Sequence, residues 1–383
     1  MISESLSQLW RFIPEARIVG GAVRDRLAGL PVSDIDLASP LTPAAVIARL
    51  EAAGVRVIPT GLAHGTVTAL LGAQTFEITT LRHDRATDGR HAEVIFIDDW
   101  QADAARRDFT INAMSMDRDG TIHDYFDGKD DLAAGRVRFV GDPARRITED
   151  YLRILRFFRF FARYGHGGAD QAAIASITAL RGGLARLSAE RVWQEIGKIL
   201  AAEHPQAALH LMRDTGVLAQ ILPEAGSLDA LDRLIARGAP ADRLLRFAAL
   251  TPDDPGIAER LKLSEVERTT LASLHRAPLL DADADDAALR RALADWPHEA
   301  LIGRSWMADG REAIRARLAA MTRPEFPLKG RDALALGGAP GPRIGQALAA
   351  TRAWWREGGC VADRAACRAE LARLMAVQDG SGR

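Results

Sequence analysis

The sequence is short of cysteine and lysine and has no long apolar run. Cys360 and Cys367 are the only cysteines in 383 residues, too few for a disulfide framework or a cysteine-based zinc site. No apolar stretch approaches the roughly 20 residues that a bilayer-spanning helix needs. The first residues, Met1 to Ile13, include Glu4 and Arg11 and lack the apolar core of a secretory signal. A reduced, cytoplasmic protein without membrane association is the expectation. The net charge of −1 excludes a protein that coats nucleic acid by bulk charge. With 48% hydrophobic and 26% charged residues, wholesale disorder is excluded as well. The length suggests two or three domains in series.

Arginine outnumbers lysine 46 to 4, so an arginine carries weight only where it sits in a structured position. Phosphate binding depends on where cations cluster, and one segment stands out. Between Arg136 and Arg163 there are eight arginines against three acids, Asp142, Glu149 and Asp150.

To about Val140 the chain alternates short β-like runs with helices. Arg17–Gly20 reads as a strand entering Gly20-Gly21, followed by a helix through Leu27. Ser33–Ala38 reads as a strand and Pro43–Ala53 as a helix. Three more strand-like stretches follow at Arg56–Ile58, Thr66–Leu71 and Thr75–Thr80. This predicts an α+β fold with a small mixed sheet of about five strands. From Pro143 onward the strand signal disappears. Helices are expected over Thr148–Arg163, Ala189–Ala202, Pro205–Thr215, Leu228–Arg237 and Asp286–Ala294.

The strongest local signal is Asp34-Ile35-Asp36-Leu37. On a strand, Asp34 and Asp36 share one face while Ile35 and Leu37 take the other. Paired carboxylates repel unless a cation lies between them, and Mg²⁺ binds through one or two carboxylates plus substrate phosphates. Two solvated aspartates at a strand end are the plain alternative. Upstream, Gly20-Gly21-Ala22-Val23-Arg24-Asp25 forms a turn into a helix, where backbone N–H groups and Arg24 would face an anion. Glu77 stands in an apolar strand, either as an edge residue in water or as a third carboxylate for two-metal chemistry. In Arg106-Arg107-Asp108-Phe109-Thr110-Ile111-Asn112-Ala113, Arg107 would neutralise phosphate and Asp108 would cap the next helix. Finally, Glu149-Asp150-Tyr151-Leu152-Arg153-Ile154-Leu155-Arg156-Phe157-Phe158-Arg159 places an arginine at every third position of an apolar helix. Buried guanidinium groups need acceptors. Structural salt bridges would supply them, and so would a bound nucleotide.

These motifs, taken in order, resemble the class II tRNA CCA-nucleotidyltransferase and bacterial poly(A) polymerase family. They cover about residues 18 to 164, and Leu187-Ser188-Ala189-Glu190-Arg191-Val192 is similar to the neck motif that follows them. The resemblance implies a polymerase-β-like nucleotidyltransferase head over residues 1–140. It further implies a helical neck over 141–215 that selects nucleotides, and a helical body and tail over 216–383 that binds tRNA. Asp34 and Asp36 would hold catalytic Mg²⁺, and Glu77 matches the third acidic position. Gly21, Arg24, Arg107, Asp150, Arg153, Arg156 and Arg159 match nucleotide-contacting positions. Arg82–Glu93 matches a flexible loop tied to the change from CTP to ATP, with Asp88, Gly89 and Arg90 at its centre.

Within that family two activities compete, CCA addition to tRNA from CTP and ATP, and poly(A) addition. The poly(A) branch tends to carry a G-R-R-F type segment before the third acid. Gly65-Thr66-Val67-Thr68-Ala69-Leu70-Leu71 has no arginine, which favours CCA addition. A phosphohydrolase is disfavoured because His83-Asp84 and His123-Asp124 both fall in the head, and His204, His210, His275 and His298 form no metal-ligand pattern. A non-catalytic RNA-binding module is disfavoured because each acidic position is occupied.

Overall fold

The computed structural model describes residues 3–32, 34–87, 92–337 and 341–380. The chain divides into two compact units, Met1–Pro223 and Glu224–Arg383. The first unit takes in the stretches expected as head and as neck.

The strands of the first unit are β1 (Arg17–Val19), β2 (Asp36–Ser39), β3 (Arg56–Gly61), β4 (Thr66–Leu71), β5 (Gln74–Thr80), β6 (Arg82–Thr87), β7 (Ala92–Phe96), β8 (Ser115–Met116) and β9 (Ile122–His123). Among the described residues, seven form one mixed sheet in the order β3-β4-β5-β2-β1-β8-β9, while β6 and β7 pair with each other. β2 and β5 run parallel, and the other pairings are antiparallel. The sheet is wider than the five strands expected because β8 and β9 have two residues each, too few for a period-2 pattern. Along β4 the buried residues are Val67, Ala69 and Leu71, and along β5 they are Phe76, Ile78 and Thr80. This alternation turns Glu77 away from the core.

The helices that matter for the site are α1 (Glu4–Phe12), α2 (Gly21–Leu27), α3 (Pro43–Ala52), α4 (Trp100–Ala105), α5 (Gly128–Ala133), α6 (Pro143–Glu149), α7 (Leu152–Tyr164), α8 (Gln171–Leu180), α9 (Ala189–Leu200), α10 (Gln206–Asp214) and α11 (Val217–Ile221). The single helix expected over Thr148–Arg163 is two helices. Asp150 is extended (φ −155°, ψ 109°) and ends α6. Its Oδ1 then accepts the Leu152 N–H at 3.0 Å and starts α7. A short acidic side chain that bonds its own neighbouring backbone competes with the helix ladder, which explains the break.

α7 is pinned to the head by aromatic packing. Phe109 and Phe139 have ring centroids 4.7 Å apart, Phe109 and Phe160 5.3 Å, and Phe139 and Phe157 6.0 Å. Phe109, Phe139, Phe157 and Phe158 are fully buried. With Leu152, Ile154, Leu155, Phe160 and Phe161 also inside, Arg153, Arg156, Arg159 and Arg163 are left as a stripe along one side of α7. α9 packs against α7, and Val192, Trp193, Ile196 and Ile199 are among its buried residues.

In the second unit the described residues are helices and loops, without strands. One core gathers Leu289, Leu293, Leu301, Ile314 and Leu318. Another gathers Leu328, Ala347, Trp355, Cys367 and Leu371. Cys360 and Cys367 are free and buried. Among the described residues no helix is long and apolar enough to cross a membrane.

Candidate active site

β2 and β5 bring together two carboxylates that lie far apart in sequence. Their parallel register pairs Asp36 with Glu77, and hydrogen-bonded strands lie about 4.8 Å apart. Leu37 and Ile78, one residue on, are both buried, so Asp36 and Glu77 project to the opposite face. Asp34 is not on the strand: β2 begins at Asp36, so alternation does not orient it as the sequence suggested. It nevertheless lines, with Asp36, Gln74 and Glu77, one cavity of about 550 Å³.

Asp36 is exposed as a residue and lines the cavity. Burial of its carboxyl and then the negative charge of Glu77 push its pKa above the ordinary carboxylate value. Arg107 pulls it back and Asp34 adds to the rise. Crowded carboxylates of this kind fit a divalent cation. Among the described residues no three His, Cys, Asp or Glu side chains are placed to hold an ion by themselves. Such an open oxygen set suits a hard cation that keeps water or phosphate among its ligands.

Asp36 also borders a second, larger cleft of about 1140 Å³. Gly20 and Gly21 line it at the start of α2, where the chain turns out of β1. Gly20 has φ 66°, and a Cβ there would come within 2.9 Å of Arg107 Nη1. Only glycine meets both requirements. Nine cationic side chains and four carboxylates line the cleft. The carboxylates are Asp36, Asp108, Asp150 and Glu203, and the cations include the α7 arginines. This balance favours a polyanionic ligand.

Gly21, Arg24, Arg107, Asp150, Arg153, Arg156 and Arg159 all line this cleft, so the seven expected nucleotide positions converge. The bonding of the α7 arginines follows the first of the two alternatives left open by the sequence, structural salt bridges. Arg153, Arg156 and Arg159 each have an acidic partner within the protein. Arg153 Nη1 donates to Glu149 Oε2 at 2.6 Å, Arg156 Nε to Asp108 Oδ2 at 2.7 Å, and Arg159 Nη1 to Glu195 Oε1 at 2.9 Å. The salt-bridge reading therefore accounts for their burial, and a ligand would meet arginines already held in place. Arg24 is buried, donating to Asn112 Oδ1 and to Asp25 Oδ1, with its guanidinium 5.0 Å from the Phe160 ring centroid and 4.6 Å from that of Tyr164. Arg107 pairs with Asp103 at 3.3 Å, and burial presses its pKa down.

Asp108 does not cap the helical turn that follows it. Its Oδ1 accepts from the Phe109 N–H at 2.9 Å and Asn112 Nδ2 at 3.0 Å, and its Oδ2 from Arg156. Burial would raise its pKa, but the Arg156 charge and these hydrogen bonds outweigh that and hold it below the usual range. Asp150 and Arg153 do not share one helix, because Asp150 stands at the break before α7. Asp150 Oδ2 accepts from Arg191 Nη2 at 2.8 Å.

Several supporting residues escaped the sequence reading. Asn112 was within a motif but unassigned; it bridges Arg24 and Asp108. Glu195 is 4% exposed, and an acid on the apolar face of α9 is the signal that marks it. Arg191, one turn earlier, holds Asp150. Tyr164 donates to Asp25 Oδ1, and burial followed by that hydrogen bond pushes its pKa up to about 12. His123-Asp124 is structural: His123 Nε2 meets Asp117 Oδ2 at 3.0 Å, and Asp124 accepts the Gly128 and Lys129 N–H groups that open α5. Much of the segment expected as a flexible loop, Arg82–Glu93, is strand: Arg82–Thr87 is β6, Ala92 and Glu93 open β7, and the two strands pair antiparallel, while Asp88, Gly89 and Arg90 lie outside the described residues.

Comparison with known proteins agrees with this geometry. Residues 16–138 match the poly A polymerase head domain, and residues 170–228 match the probable RNA and SrmB-binding site of polymerase A. The mitochondrial CCA tRNA nucleotidyltransferase 1 of Homo sapiens is 38% identical over 368 residues, which span 90% of this chain and 83% of that protein. The CCA-adding enzyme of Oceanobacillus iheyensis is 38% identical over 202 residues, 52% of this chain and 49% of that one. The crystal structure of the Bacillus stearothermophilus CCA-adding enzyme in complex with CTP has a TM-score of 0.79 at 27% identity, covering 99% of this chain and 100% of that chain. With 38% identity across 83% of the human enzyme, and a fold matched over nearly the whole chain, this chain belongs to the CCA tRNA nucleotidyltransferase family.

Proposed function

We propose that the protein adds C, C and A to the 3′ end of tRNA from CTP and ATP, releasing pyrophosphate. The observation that carries this reading is the junction at Asp36. There a cleft rich in arginine meets a pair of carboxylates joined by strand register. A nucleoside triphosphate needs cations along its phosphates and a divalent ion at the reacting phosphorus, and these two features supply places for both. Asp34 and Asp36 would hold Mg²⁺, with Glu77 beside them. The bound metal would acidify the terminal ribose 3′-OH and stabilise charge on the departing pyrophosphate. Arg24 and Arg107, with the N–H groups at the start of α2, would take the triphosphate. Catalysis would then be mostly positioning and electrostatics, with no separate general base.

Selection between bases would rest on Asp150 and Arg153. Cytosine and adenine both present an amine donor beside a ring-nitrogen acceptor, whereas uracil and guanine present a carbonyl and an N–H. A carboxylate only accepts and a guanidinium only donates, so the pair matches the first two bases and opposes the others. Arg191 and Glu149 would act as braces that keep both groups aimed. Residues 1–140 would act as catalytic head, 141–215 as nucleotide-selecting neck, and 216–383 as the tRNA-binding part, in a cytoplasmic enzyme.

The test is to supply CTP and ATP with tRNA lacking CCA, tRNA ending in C and tRNA ending in CC. Pyrophosphate release is measured and the 3′ ends are sequenced. CCA ends from each primer support the reading; tails of A alone would assign poly(A) addition instead, which the names of the relatives disfavour.

A further inference from the structure

We propose that Gly183 is a positioning residue for nucleotide selection: its missing side chain gives the Tyr151 ring a seat that fixes how Asp150 faces the cleft. The proposal rests on the reading that Asp150 and Arg153 select the base.

Gly183 lies in the 3-10 segment Arg181–Arg186, which follows α8. Its backbone is not in the left-handed region, so what it supplies is room rather than conformational freedom. A Cβ built on Gly183 would stand 1.9 Å from Tyr151 Cε1, 2.0 Å from Cδ1 and 2.5 Å from Cζ. Carbon atoms in contact sit about 3.5–4.0 Å apart, so the ring and a methyl group cannot both be there. The same ring lies 5.3 Å from the Arg186 guanidinium. Gly182, next door, would meet nothing within 4 Å if it gained a Cβ.

Tyr151 is placed where a shift of its ring reaches the site. It sits between Asp150 and Leu152 in the break that separates α6 from α7, and its own side chain makes no capping hydrogen bond. The turn is tied by three bonds. Leu152 N–H donates to Asp150 Oδ1 at 3.0 Å, Arg153 N–H to Asp150 O at 3.0 Å, and Ile154 N–H to Tyr151 O at 3.1 Å. The turn thus fixes the backbone from which the Asp150 and Arg153 side chains leave, and Arg191 and Glu149 brace their outer ends. A ring driven off its seat must swing into the surrounding packing or carry residues 150–152 with it. Either movement re-aims the carboxylate against the base edge, while the triphosphate contacts at Arg24 and the carboxylates at Asp36 and Glu77 stay where they are.

The experiment compares Gly183→Ala, Gly182→Ala, Tyr151→Ala, the double variant Gly183→Ala/Tyr151→Ala, and Asp150→Ala as reference. Each is assayed in the full-length protein for CTP, ATP, UTP and GTP incorporation into tRNA lacking CCA, alongside its melting temperature. Gly183→Ala is expected to lower discrimination against UTP and GTP by about ten- to a hundredfold, the scale on which a misplacement near 1 Å acts. KM for CTP should rise, and KM for tRNA should stay unchanged. Gly182→Ala makes the same helix-propensity change without the clash and should behave as wild type. Tyr151→Ala, which empties the seat instead of filling it, should also lower discrimination, and adding Gly183→Ala to it should do nothing further. The proposal is overturned if Gly183→Ala and Tyr151→Ala keep wild-type selectivity while Asp150→Ala loses it, or if the two changes add in full. If Asp150→Ala itself keeps selectivity, the base-selection reading fails and takes this proposal with it. Should Gly183→Ala fail to fold, the comparison of Tyr151→Ala with Asp150→Ala decides the matter on the same criterion.

Discussion

Replacing Asp108 by asparagine removes a buried negative charge from beneath the donors that converge on it. Arg156 reaches Oδ2 through Nε at 2.7 Å and Nη2 at 2.5 Å, and Asn112 Nδ2 and the Phe109 N–H bond Oδ1. The Asp108 side chain is 9% exposed and that of Arg156 33%. Losing one partner of a buried pair costs about 3–5 kcal/mol. Arg156 can regain some water, so the low end, about 3 kcal/mol, is expected. At roughly 2–4 °C per kcal/mol for a unit of this size, the melting temperature should fall by about 6–12 °C. The pH dependence has a definite sign. Arg156 holds the Asp108 pKa below its unfolded value, so this stability is present above the unfolded carboxylate pKa of about 3.9 and is lost as pH falls through the lower folded value. Urea unfolding of wild type and Asp108→Asn from pH 7 downward should show a full gap at neutrality that narrows below about pH 4. A gap under about 1 kcal/mol at neutral pH, or one that stays constant in acid, would refute the account of Asp108 as the anchor of Arg156.

Asp34→Ala and Asp36→Ala should each nearly abolish transfer with an unchanged circular dichroism spectrum, and wild-type turnover in either would remove that residue from the metal site. Adding a divalent cation should raise the melting temperature of wild type and leave that of Asp36→Asn unmoved; equal shifts in both would place the cation elsewhere. Asp150→Ala should accept UTP and GTP alongside a reduced overall rate, whereas a lower rate with intact selectivity would mark the residue as structural. Ending the chain after Pro223, at the boundary between the compact units, should weaken tRNA binding more than CTP binding, and unchanged tRNA affinity would contradict an RNA-binding role for the second unit.

The candidate site was legible in the sequence wherever one residue type breaks the local pattern by itself. Gly20-Gly21 at a strand-to-helix turn, acids inside apolar strands and arginines at a helical period are each visible because they break the surrounding pattern. Partnerships were not legible. That Arg159 meets Glu195, Arg191 meets Asp150 and Asp108 meets Arg156 depends on how α7, α9 and the head pack, and nothing local in the chain encodes such long-range pairs. The break at Asp150 was missed because Leu152–Tyr164 is so strongly helical that the pattern ran backward through a residue whose side chain opens a new helix. Asp34 was set on a strand because the period-2 reading of Asp34 and Asp36 started the strand at Ser33, three residues before β2 begins. β8 and β9 left no trace because a two-residue strand has no period to detect.

The pairing of Asp36 with Glu77 has a bearing on how the protein is made. Parallel strands cannot be joined by a tight turn, and here the crossover comprises α3, β3 and β4. The two acids are therefore neighbours only after this intervening segment has folded back. Contacts of such sequence separation form slowly, because chain closure precedes any reward from them. A chain emerging from the ribosome would display Asp34 and Asp36 well before Glu77 arrives beside them. Completion of the crossover then brings Glu77 beside Asp36, so the cation affinity proposed for these acids would report on whether the central sheet has closed.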